Sequence, residues 1–365
     1  MKIGIITDAI DYQPTGIGVY TENLVRNLLK IDKKNEYILI HNSASKHPLY
    51  QKAKELRYPF ISKIPKMLQD SLFLSLTKEK FDLVHKPNPT GFLFPVKFKK
   101  VLTIFDLSVL GLPNLSSRTY QFLYKKALSL SFLQADAIIS TSEFTKNEFI
   151  KIYPEYKKKI SVIYGGIKKR QPSYCLPTKS LNDKIKTPYL LFVGTICQRK
   201  NIGRMLDAFE QIKSKKEFEN LSLVVVGQGE TKTLVDRVQR LEKEGKVIWT
   251  KYLNDECLAG VYKNASLLLY PSLYEGFGIP PLEAMSYKCP VVSSNCSSVP
   301  EIVGKAGFLI NPLNVAEIVN AIEKTIKNKL LREKIIKAGL KQVKKFSWVK
   351  TARKALKIYN ELQIK

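Results

Sequence analysis

The sequence predicts an α/β protein with two Rossmann-like, doubly wound domains that face each other across a cleft. The chain has 365 residues, which is enough for about two domains at roughly 150 residues each. Short apolar runs alternate with helical patterns, as is typical of parallel strands buried on both faces. The alternation stops in a basic, proline-containing stretch and then starts again. We therefore expect a first domain over residues 1–170, a linker over 171–188 and a second domain over 189–348.

The apolar runs that we assign to strands are rich in β-branched and aromatic residues. In the first domain they are Ile3–Thr7, Tyr37–Ile40, Leu83–His85, Val101–Phe105, Ala137–Thr141 and Ser161–Tyr164. In the second domain they are Tyr189–Val193, Ser222–Val226, Val247–Thr250, Ser266–Tyr270, Val291–Ser293 and Gly307–Ile310. Helical periodicity predicts helices over Val19–Leu29, Asn201–Ile212, Thr231–Glu244, Val315–Phe346 and Thr351–Leu362. Ligands bind outside the carboxyl ends of such strands, so residues that follow a strand are the first candidates for a site.

The composition is that of a globular protein and argues against several kinds of site. Hydrophobic residues make up 44% of the chain and charged residues 25%, which excludes a disordered or fibrous protein. The five cysteines are scattered without a C-x-x-C pair, so we expect neither a disulfide framework nor a zinc site. There are three histidines and no D-x-D triplet. We therefore expect no metal site and no metal cofactor.

The net charge is strongly positive, with 60 basic and 32 acidic side chains giving +28. Such an excess suits the phosphates of a nucleic acid or an anionic lipid surface, and it is also found on solvated, lysine-rich surfaces. The first apolar run is too short for a signal peptide. No stretch approaches the roughly 20 apolar residues of a membrane-spanning helix. We expect a cytoplasmic protein whose contact with membranes, if any, is peripheral.

The most informative motif begins where the predicted strand ends at Tyr270. Two carboxylates, Glu275 and Glu283, lie eight positions apart around a Gly-Phe-Gly turn. The glycines of this turn allow the backbone to approach a ligand closely. The helix predicted to follow directs its N-terminus at the same crevice, which favours an anion such as a phosphate. Either carboxylate alone could be an ordinary surface or helix-dipole residue, but the pair around this turn predicts a binding site.

The segment from Glu275 to Glu283, Glu-Gly-Phe-Gly-Ile-Pro-Pro-Leu-Glu, resembles the E-x7-E motif of the retaining family 4 glycosyltransferases, and in detail their mannosyltransferase-like members. Thr15–Tyr20 is similar to the amino-terminal glycine loop of this family. Phe192–Thr195, followed by Arg199-Lys200-Asn201, is similar to its phosphate-binding segment. The resemblance runs almost end to end. It implies the GT-B fold, in which a C-terminal helix, here about residues 349–365, crosses back to the first domain.

The resemblance implies transfer of a hexose from a UDP- or GDP-sugar to a glycan or lipid-linked acceptor, with retention of configuration, in the assembly of a cell-surface polysaccharide. Glu275 would lie against the donor sugar, and Lys200, with Arg199 beside it, would bind the diphosphate. Charge develops on the departing diphosphate in an oxocarbenium-like transition state, and fixed cations aimed at it can replace a divalent metal. Both cations stand at a predicted helix start, where positive charge opposes the helix dipole, which favours a ligand-binding role.

The remaining donor contacts that the family implies are made largely by backbone groups. Glu283 would accept hydrogen bonds from the ribose hydroxyls of the nucleotide. The backbone N–H groups of Phe277 and Gly278 would hold the hydroxyls of the sugar. Gly16 and Gly18 would let the chain approach the donor phosphates. A plain turn between strand and helix stays open for these two glycines, because a lone G-x-G is a weak signal.

The sequence departs from the family pattern at Phe105-Asp106, where many members carry His-Asp near the reaction centre. Asp106 is left with any catalytic role at this strand end, and a helix-cap or loop acid is an equal alternative. His85 also ends a strand and would be the only histidine facing the cleft, although a lone histidine is more often structural. In the family, retention is commonly explained by same-face attack in which the leaving phosphate takes the acceptor proton. That scheme requires no side-chain base.

Residues 46–100 form a basic stretch with interleaved aromatic side chains, twelve basic groups against four acidic ones. It suits an anionic membrane surface, with an amphipathic segment at Met67–Leu76 that either enters the interface or packs on the domain core. The lysines that we expect near anionic headgroups are Lys52, Lys54, Lys63 and Lys66. The alternative to an enzyme is a basic membrane- or nucleic-acid-binding protein with an inactive transferase fold. It leaves Glu275 and Glu283 unexplained, so no nucleic-acid partner is expected.

Overall fold

The computed structural model describes all residues except 12–15, 43–46, 65, 112–117, 169–170, 173–184, 186 and 365. The chain divides into two compact units, Met1–Gly166 with Ser347–Lys365, and Ile167–Phe346. The boundaries predicted at residues 170 and 349 lie close to this division. Most of the predicted linker lies outside the described residues. Each unit is built on its own parallel sheet, so the predicted α/β class with two doubly wound sheets is confirmed.

The first unit contains, within the described residues, a parallel sheet in the spatial order β3-β2-β1-β4-β5-β6-β7. Its strands are β1 (Lys2–Ile6), β2 (Glu36–His41), β3 (Lys54–Arg57), β4 (Leu83–Lys86), β5 (Lys99–Ile104), β6 (Ala137–Ser140) and β7 (Ile160–Val162). The hydropathy pattern misses β3, because this edge strand has the polar sequence Lys-Glu-Leu-Arg and buries no side chain fully. The other strands match the predicted runs to within two residues.

Helices cover this sheet and connect its strands. They are α1 (Asp8–Asp11), α2 (Gly16–Ile31), α3 (Lys66–Leu76), α4 (Ser108–Gly111), α5 (Arg118–Gln134) and α6 (Glu143–Ile152), with 3-10 turns at Tyr50–Lys52 and Pro154–Lys159. The helix predicted to begin at Val19 begins earlier, at Gly16. Gly16 and Gly18 therefore lie in the first turn of α2.

The second unit contains, as far as the chain is described, a parallel sheet in the order β10-β9-β8-β11-β12-β13. Its strands are β8 (Tyr189–Val193), β9 (Ser222–Val226), β10 (Val247–Lys251), β11 (Leu267–Tyr270), β12 (Val291–Ser294) and β13 (Phe308–Ile310). Its strand β8 lies between β9 and β11, so the strand order reverses there. The crevice beyond the carboxyl ends of β8 and β11 is where such sheets bind ligands.

In the second unit the helices predicted over Asn201–Ile212 and Thr231–Glu244 are confirmed to within one residue, whereas those over Asp255–Asn264 and Val299–Val303 have no predicted counterpart. The helices of this unit are α7 (Ile202–Lys213), α8 (Lys232–Lys243), α9 (Asp255–Asn264), α10 (Ile279–Ser286), α11 (Val299–Val303), α12 (Val315–Lys327) and α13 (Lys329–Val343), with 3-10 turns at Gln198–Lys200 and Lys216–Phe218. The prediction of a single helix over Val315–Phe346 is wrong, because two helices, α12 and α13, occupy this segment. Asn328 ends α12 in an extended conformation, and its side chain caps α13 by accepting a hydrogen bond from the Leu331 N–H at 2.9 Å. Among the described helices, none has the length and apolar character needed to cross a bilayer.

The C-terminal helix α14 (Trp348–Gln363) is part of the first unit. Its apolar face packs on α2, with Ala352, Ala355 and Tyr359 buried beside Leu24 and Leu28. These side chains recur at intervals of three and four residues, which places them on one face of the helix. The helix is therefore fixed to this unit by core packing.

His85 is fully buried beneath α14, which supports the structural interpretation of this residue. Its Nδ1 lies 2.6 Å from the Tyr359 hydroxyl and its Nε2 lies 2.8 Å from Thr103 Oγ1. Burial lowers the pKa of His85 to about 3. The imidazole is therefore neutral at physiological pH and links the C-terminal helix to the sheet.

We expect acid to destabilise the wild-type protein through His85. Between pH 3 and 6.5 the unfolded chain binds a proton at this residue and the folded protein does not, so the free energy of unfolding falls as the pH drops below 6.5, by about 1.4 kcal/mol per unit. The His85→Gln variant has no such group. Urea unfolding at pH 7 and pH 5 should show a loss about 2 kcal/mol larger in the wild type than in the variant. Equal losses would contradict a buried, neutral imidazole.

Candidate active site

The loop between β8 and α7 carries two adjacent cations at the carboxyl edge of the sheet. Arg199 and Lys200 lie in a 3-10 turn that ends at Asn201, whose φ of 58° places it in the left-handed region. The Asn201 side chain donates hydrogen bonds to the carbonyl oxygens of Pro271, at 3.1 Å, and Pro312, at 2.6 Å. Asparagine is one of the few residues that tolerates this conformation. The turn is thereby fastened to the loop that follows β11.

Four side chains meet at this edge, and we refer to Arg199, Lys200, Tyr270 and Glu275 as the Glu275 cluster. Lys200 Nζ donates hydrogen bonds to Glu275 Oε1 at 2.6 Å and to the Tyr270 hydroxyl at 2.8 Å. The Tyr270 hydroxyl donates in turn to the same carboxylate oxygen at 2.8 Å. Arg199 Nη1 lies 3.3 Å from Glu275 Oε2 and donates to the Tyr274 carbonyl oxygen at 2.9 Å. The structure thus brings together three of the residues predicted for the donor site.

Lys200, Tyr270 and Glu275 of the cluster are buried and Arg199 is half-buried, so the protonation state of each group depends strongly on its neighbours. Glu275 is 6% exposed and Lys200 is 8% exposed. Burial raises the pKa of Glu275, but Lys200 and Arg199 outweigh it, and the pKa lies below its ordinary value. Burial, together with the charge of Glu275, raises the pKa of the Tyr270 hydroxyl well above its ordinary value. At neutral pH the carboxylate is therefore ionised and the phenol keeps its proton to donate.

Two serines fix the backbone of the loop that carries Glu275. The Glu275 N–H donates to Ser297 Oγ at 3.0 Å. Ser298 Oγ lies 2.9 Å from the Glu275 carbonyl oxygen and 3.1 Å from that of Phe277. Each backbone group that is tied down in this way restricts where the carboxylate can point. The loop is therefore fixed by hydrogen bonds to the segment that follows β12.

The start of α10 is built from residues with unusual backbones. Gly278 precedes the helix with a φ of 92°, a conformation that favours glycine. Pro280 and Pro281 occupy the first turn and have no N–H. The helix end keeps its dipole, yet it has fewer N–H donors for an anion than the motif alone suggests. The half-buried ring of Phe277 packs edge-on against Phe346, with 5.9 Å between ring centroids.

Glu283 lies in the second turn of α10 and is half-buried. It accepts a hydrogen bond from the Tyr262 hydroxyl of α9 at 2.9 Å. Burial, with the nearby carboxylate, raises the pKa of Tyr262 well above its ordinary value, so this phenol is a donor at neutral pH. The hydrogen bond orients the Glu283 carboxylate. Its predicted role at a ribose is untested and stays a prediction.

Three predicted site residues belong to the first unit, whereas the Glu275 cluster lies wholly in the second. Gly16 is exposed and Gly18 is buried, both within α2. Asp106 follows β5 and accepts hydrogen bonds from the Ser108 N–H at 3.0 Å and from Ser108 Oγ at 2.6 Å, at the start of α4. This is the arrangement of a helix-capping acid, the alternative given for Asp106. Phe105, in place of the family histidine, packs against Tyr20 with ring centroids 5.0 Å apart.

The sequence patterns single out the charged residues of this site and miss the neutral residues that hold them. Tyr270 is predicted only as the end of an apolar strand, and Tyr262 lies outside every predicted element, although a buried phenol needs a hydrogen-bond partner. A tyrosine that ends a buried strand five residues before a glutamate is a usable signal for Tyr270. Ser297 and Ser298 act through contacts distant in sequence, and no local pattern predicts them.

Comparison with known proteins places this chain in one enzyme class. Residues 178–342 match the family model of the group 1 glycosyl transferases, and residues 14–171 match that of Glycosyltransferase Family 4. The chain is 30% identical to O-antigen chain mannosyltransferase B of Escherichia coli, over 99% of this chain and 100% of that protein. It is 27% identical to the capsular polysaccharide biosynthesis glycosyltransferase CapM of Staphylococcus aureus, over 76% of each.

A solved structure with the same architecture is that of HepE from Anabaena in complex with UDP-glucose. It has a TM-score of 0.77 and 18% identity, and the match covers 99% of this chain and 100% of that one. The fold is therefore GT-B, and the protein is a glycosyltransferase. The chain belongs to the family 4 glycosyltransferases, as its E-x7-E segment predicts.

Proposed function

We propose that this enzyme transfers a hexose, with mannose as the first candidate, from a UDP- or GDP-sugar to a glycan or lipid-linked acceptor during the assembly of a cell-surface polysaccharide. Support for mannose comes from the mannosyltransferase of Escherichia coli that matches the whole chain. Support for a nucleotide-sugar donor comes from HepE, which was solved with UDP-glucose. We further propose that it works in the cytoplasm, where such donors occur, and that a lipid-linked acceptor brings it to the membrane surface.

The observation that carries the proposal is the charge balance of the Glu275 cluster. Two cations, Arg199 and Lys200, lie within 3.3 Å of the single carboxylate of Glu275. Two adjacent cations at the carboxyl edge of the sheet favour an anionic ligand, because Coulombic attraction is stronger where water is partly excluded. A nucleoside diphosphate leaving group gains negative charge as the glycosidic bond breaks. We propose that Lys200 and Arg199 stabilise that charge in the transition state.

The acceptor proton has a route that needs no protein base. We propose same-face attack with retention of configuration, in which an oxygen of the leaving phosphate takes the proton of the attacking hydroxyl. Asp106 is occupied by Ser108 at the start of α4, and Phe105 replaces the family histidine. Both features fit a mechanism in which the leaving group itself is the base. The alternative of a basic binding protein with an inactive transferase fold is not favoured, because Arg199, Lys200 and Glu275 lie together and the relatives are glycosyltransferases.

The experiment that tests the donor site compares Lys200→Ala with Glu283→Ala. Loss of the Lys200 charge should lower kcat by about 10²–10³, because the interaction strengthens as the leaving group departs. The Glu283→Ala change should mainly raise KM for the donor, since contacts to the ribose change little along the reaction. Steady-state kinetics with a panel of UDP- and GDP-sugars measures both.

Lys327→Ala is the matched control, because Lys327 pairs with Glu217 on the surface of the same unit. We expect unchanged kinetics in this control. Circular dichroism should verify that each variant is folded. Full activity in a folded Lys200→Ala protein would contradict the assignment.

We also expect the reaction to retain the anomeric configuration and to continue after exhaustive chelation of divalent ions. The physical reason for the second expectation is that Lys200 and Arg199 supply the positive charge that a metal would supply at the diphosphate. Proton NMR of the first-formed product gives the anomer, and activity in excess EDTA gives the metal dependence. An inverted product, or activity restored only by Mg²⁺ or Mn²⁺, would contradict this mechanism.

A further inference from the structure

Helix α5 of the first unit exposes an apolar face to solvent. Phe122 is 58% exposed, Leu123 60%, Leu130 50% and Leu133 62%. Their spacing of one, eight and eleven residues from Phe122 places them on one side of a helix. Lys126 completes this side, and we call Phe122, Leu123, Lys126, Leu130 and Leu133 the α5 face. Large apolar side chains grouped in this way mark an interaction surface.

The opposite side of α5 already packs in the core of the unit. Leu128 and Phe132 are fully buried there, and the Phe132 ring meets the ring of Phe149 edge-on at 4.8 Å between centroids. The helix therefore does not need the α5 face for its own packing. A helix that is apolar on both sides is ordinarily covered on both sides. The α5 face is thus available to a partner outside this unit's core.

The charge around the α5 face is entirely positive along the helix. The sequence of α5 contains no Asp or Glu, and Lys125 and Lys126 are both exposed. Lys126 Nζ lies 4.5 Å from the centre of the Phe122 ring. Apolar and aromatic side chains next to lysines are the composition of helices that lie in a membrane interface.

More lysines stand at the C-terminal end of α5. Lys159 Nζ donates hydrogen bonds to the carbonyl oxygens of Leu133, at 3.4 Å, and Ala135, at 2.8 Å. These bonds hold the Pro154–Lys159 turn beside the end of the helix. The turn also carries the exposed Lys157 and Lys158, against one exposed carboxylate, Glu155. Each basic side chain that lies within a Debye length of an anionic bilayer is attracted to its headgroups.

We propose that the α5 face docks on an anionic lipid membrane, with its apolar side chains in the interface and its lysines among the headgroups. A second copy of this chain is a poor occupant, because two proteins of net charge +28 repel each other. The inference rests on the proposed function to the extent that a lipid-linked acceptor calls for a membrane surface. The proposal places the membrane contact on α5, and not on residues 46–100 where the sequence predicts it.

Helix α3, the amphipathic candidate of the basic stretch, is less suited to the interface. Leu68 and Leu72 are half-buried and Leu74 is buried, while Leu76 at the end of the helix is exposed. Lys54 is paired with Glu79 at 3.1 Å, which also binds Lys2. The side chain of Lys66 lies outside the described residues. Much of this segment therefore packs on its own domain, as its alternative interpretation predicts.

The test is vesicle co-sedimentation of the full-length protein and the double variant Phe122→Ser/Leu133→Ser. The vesicles are phosphatidylcholine with or without about 30% phosphatidylglycerol. We expect binding to the anionic vesicles that weakens with salt, and a loss of about tenfold or more in the variant. The matched control is Leu313→Ser/Leu330→Ser, which removes two exposed leucines of the second unit and should bind like the wild type. Equal loss in both variants, or a wild type that does not bind, would overturn the proposal.

Two further readouts separate this proposal from the others. Light scattering of the wild type without lipid should give a monomer, and a dimer that the α5 variant abolishes would overturn lipid as the occupant. Donor hydrolysis without lipid should be equal in the wild type and the α5 variant, because the variant leaves the Glu275 cluster intact. Absence of hydrolysis in both proteins would count against the proposed function. If the two proteins still differed in vesicle binding, the proposal that the α5 face docks on a membrane would be supported all the same.

Discussion

The other side chains of the proposed donor site are arranged around a single buried carboxylate, that of Glu275. Burying Glu275 costs free energy, and the cost is offset only because Lys200 and Arg199 lie within hydrogen-bond and ion-pair reach. The same contacts hold the two cations in place before any ligand arrives. A preorganised cation needs no reorganisation when charge develops on a leaving group, which is the condition for efficient electrostatic catalysis.

The surrounding structure brings these charged side chains together from distant parts of the chain. Strands β8 and β11 are neighbours in the sheet, so the loops that follow them meet at one edge. Asn201 ties the first loop to the second, and Ser298 ties the second to the segment after β12. The Tyr270 hydroxyl lies beside this ion pair, accepting a hydrogen bond from Lys200 and donating one to Glu275. The topology places the loops, and neutral hydrogen bonds then fix the distances.

Much of this arrangement is predictable from the sequence. The features that sequence patterns do not predict are missed for physical reasons that can be named. Buried parallel strands are predicted well because their apolar runs are continuous, whereas the polar edge strand β3 gives no such signal. Glu275 stands out because it is paired with Glu283 around a Gly-Phe-Gly turn. Lys200 stands out because positive charge at a predicted helix start opposes the helix dipole. Tyr270, Ser297 and Ser298 are polar partners whose importance lies in long-range contacts, which periodicity cannot show. The position of the exposed apolar face on α5 likewise depends on which side the core covers.

The measurement that tests the central interaction most directly is a double-mutant cycle between Glu275 and Lys200, read out as the free energy of unfolding in urea. Glu275→Gln and Lys200→Met should each destabilise the protein by about 3 kcal/mol, because each leaves a buried charge with less compensation. The double variant removes both charges and should cost less than the sum, giving a coupling energy of about 2 kcal/mol. Costs that add to within about 0.5 kcal/mol would contradict the account.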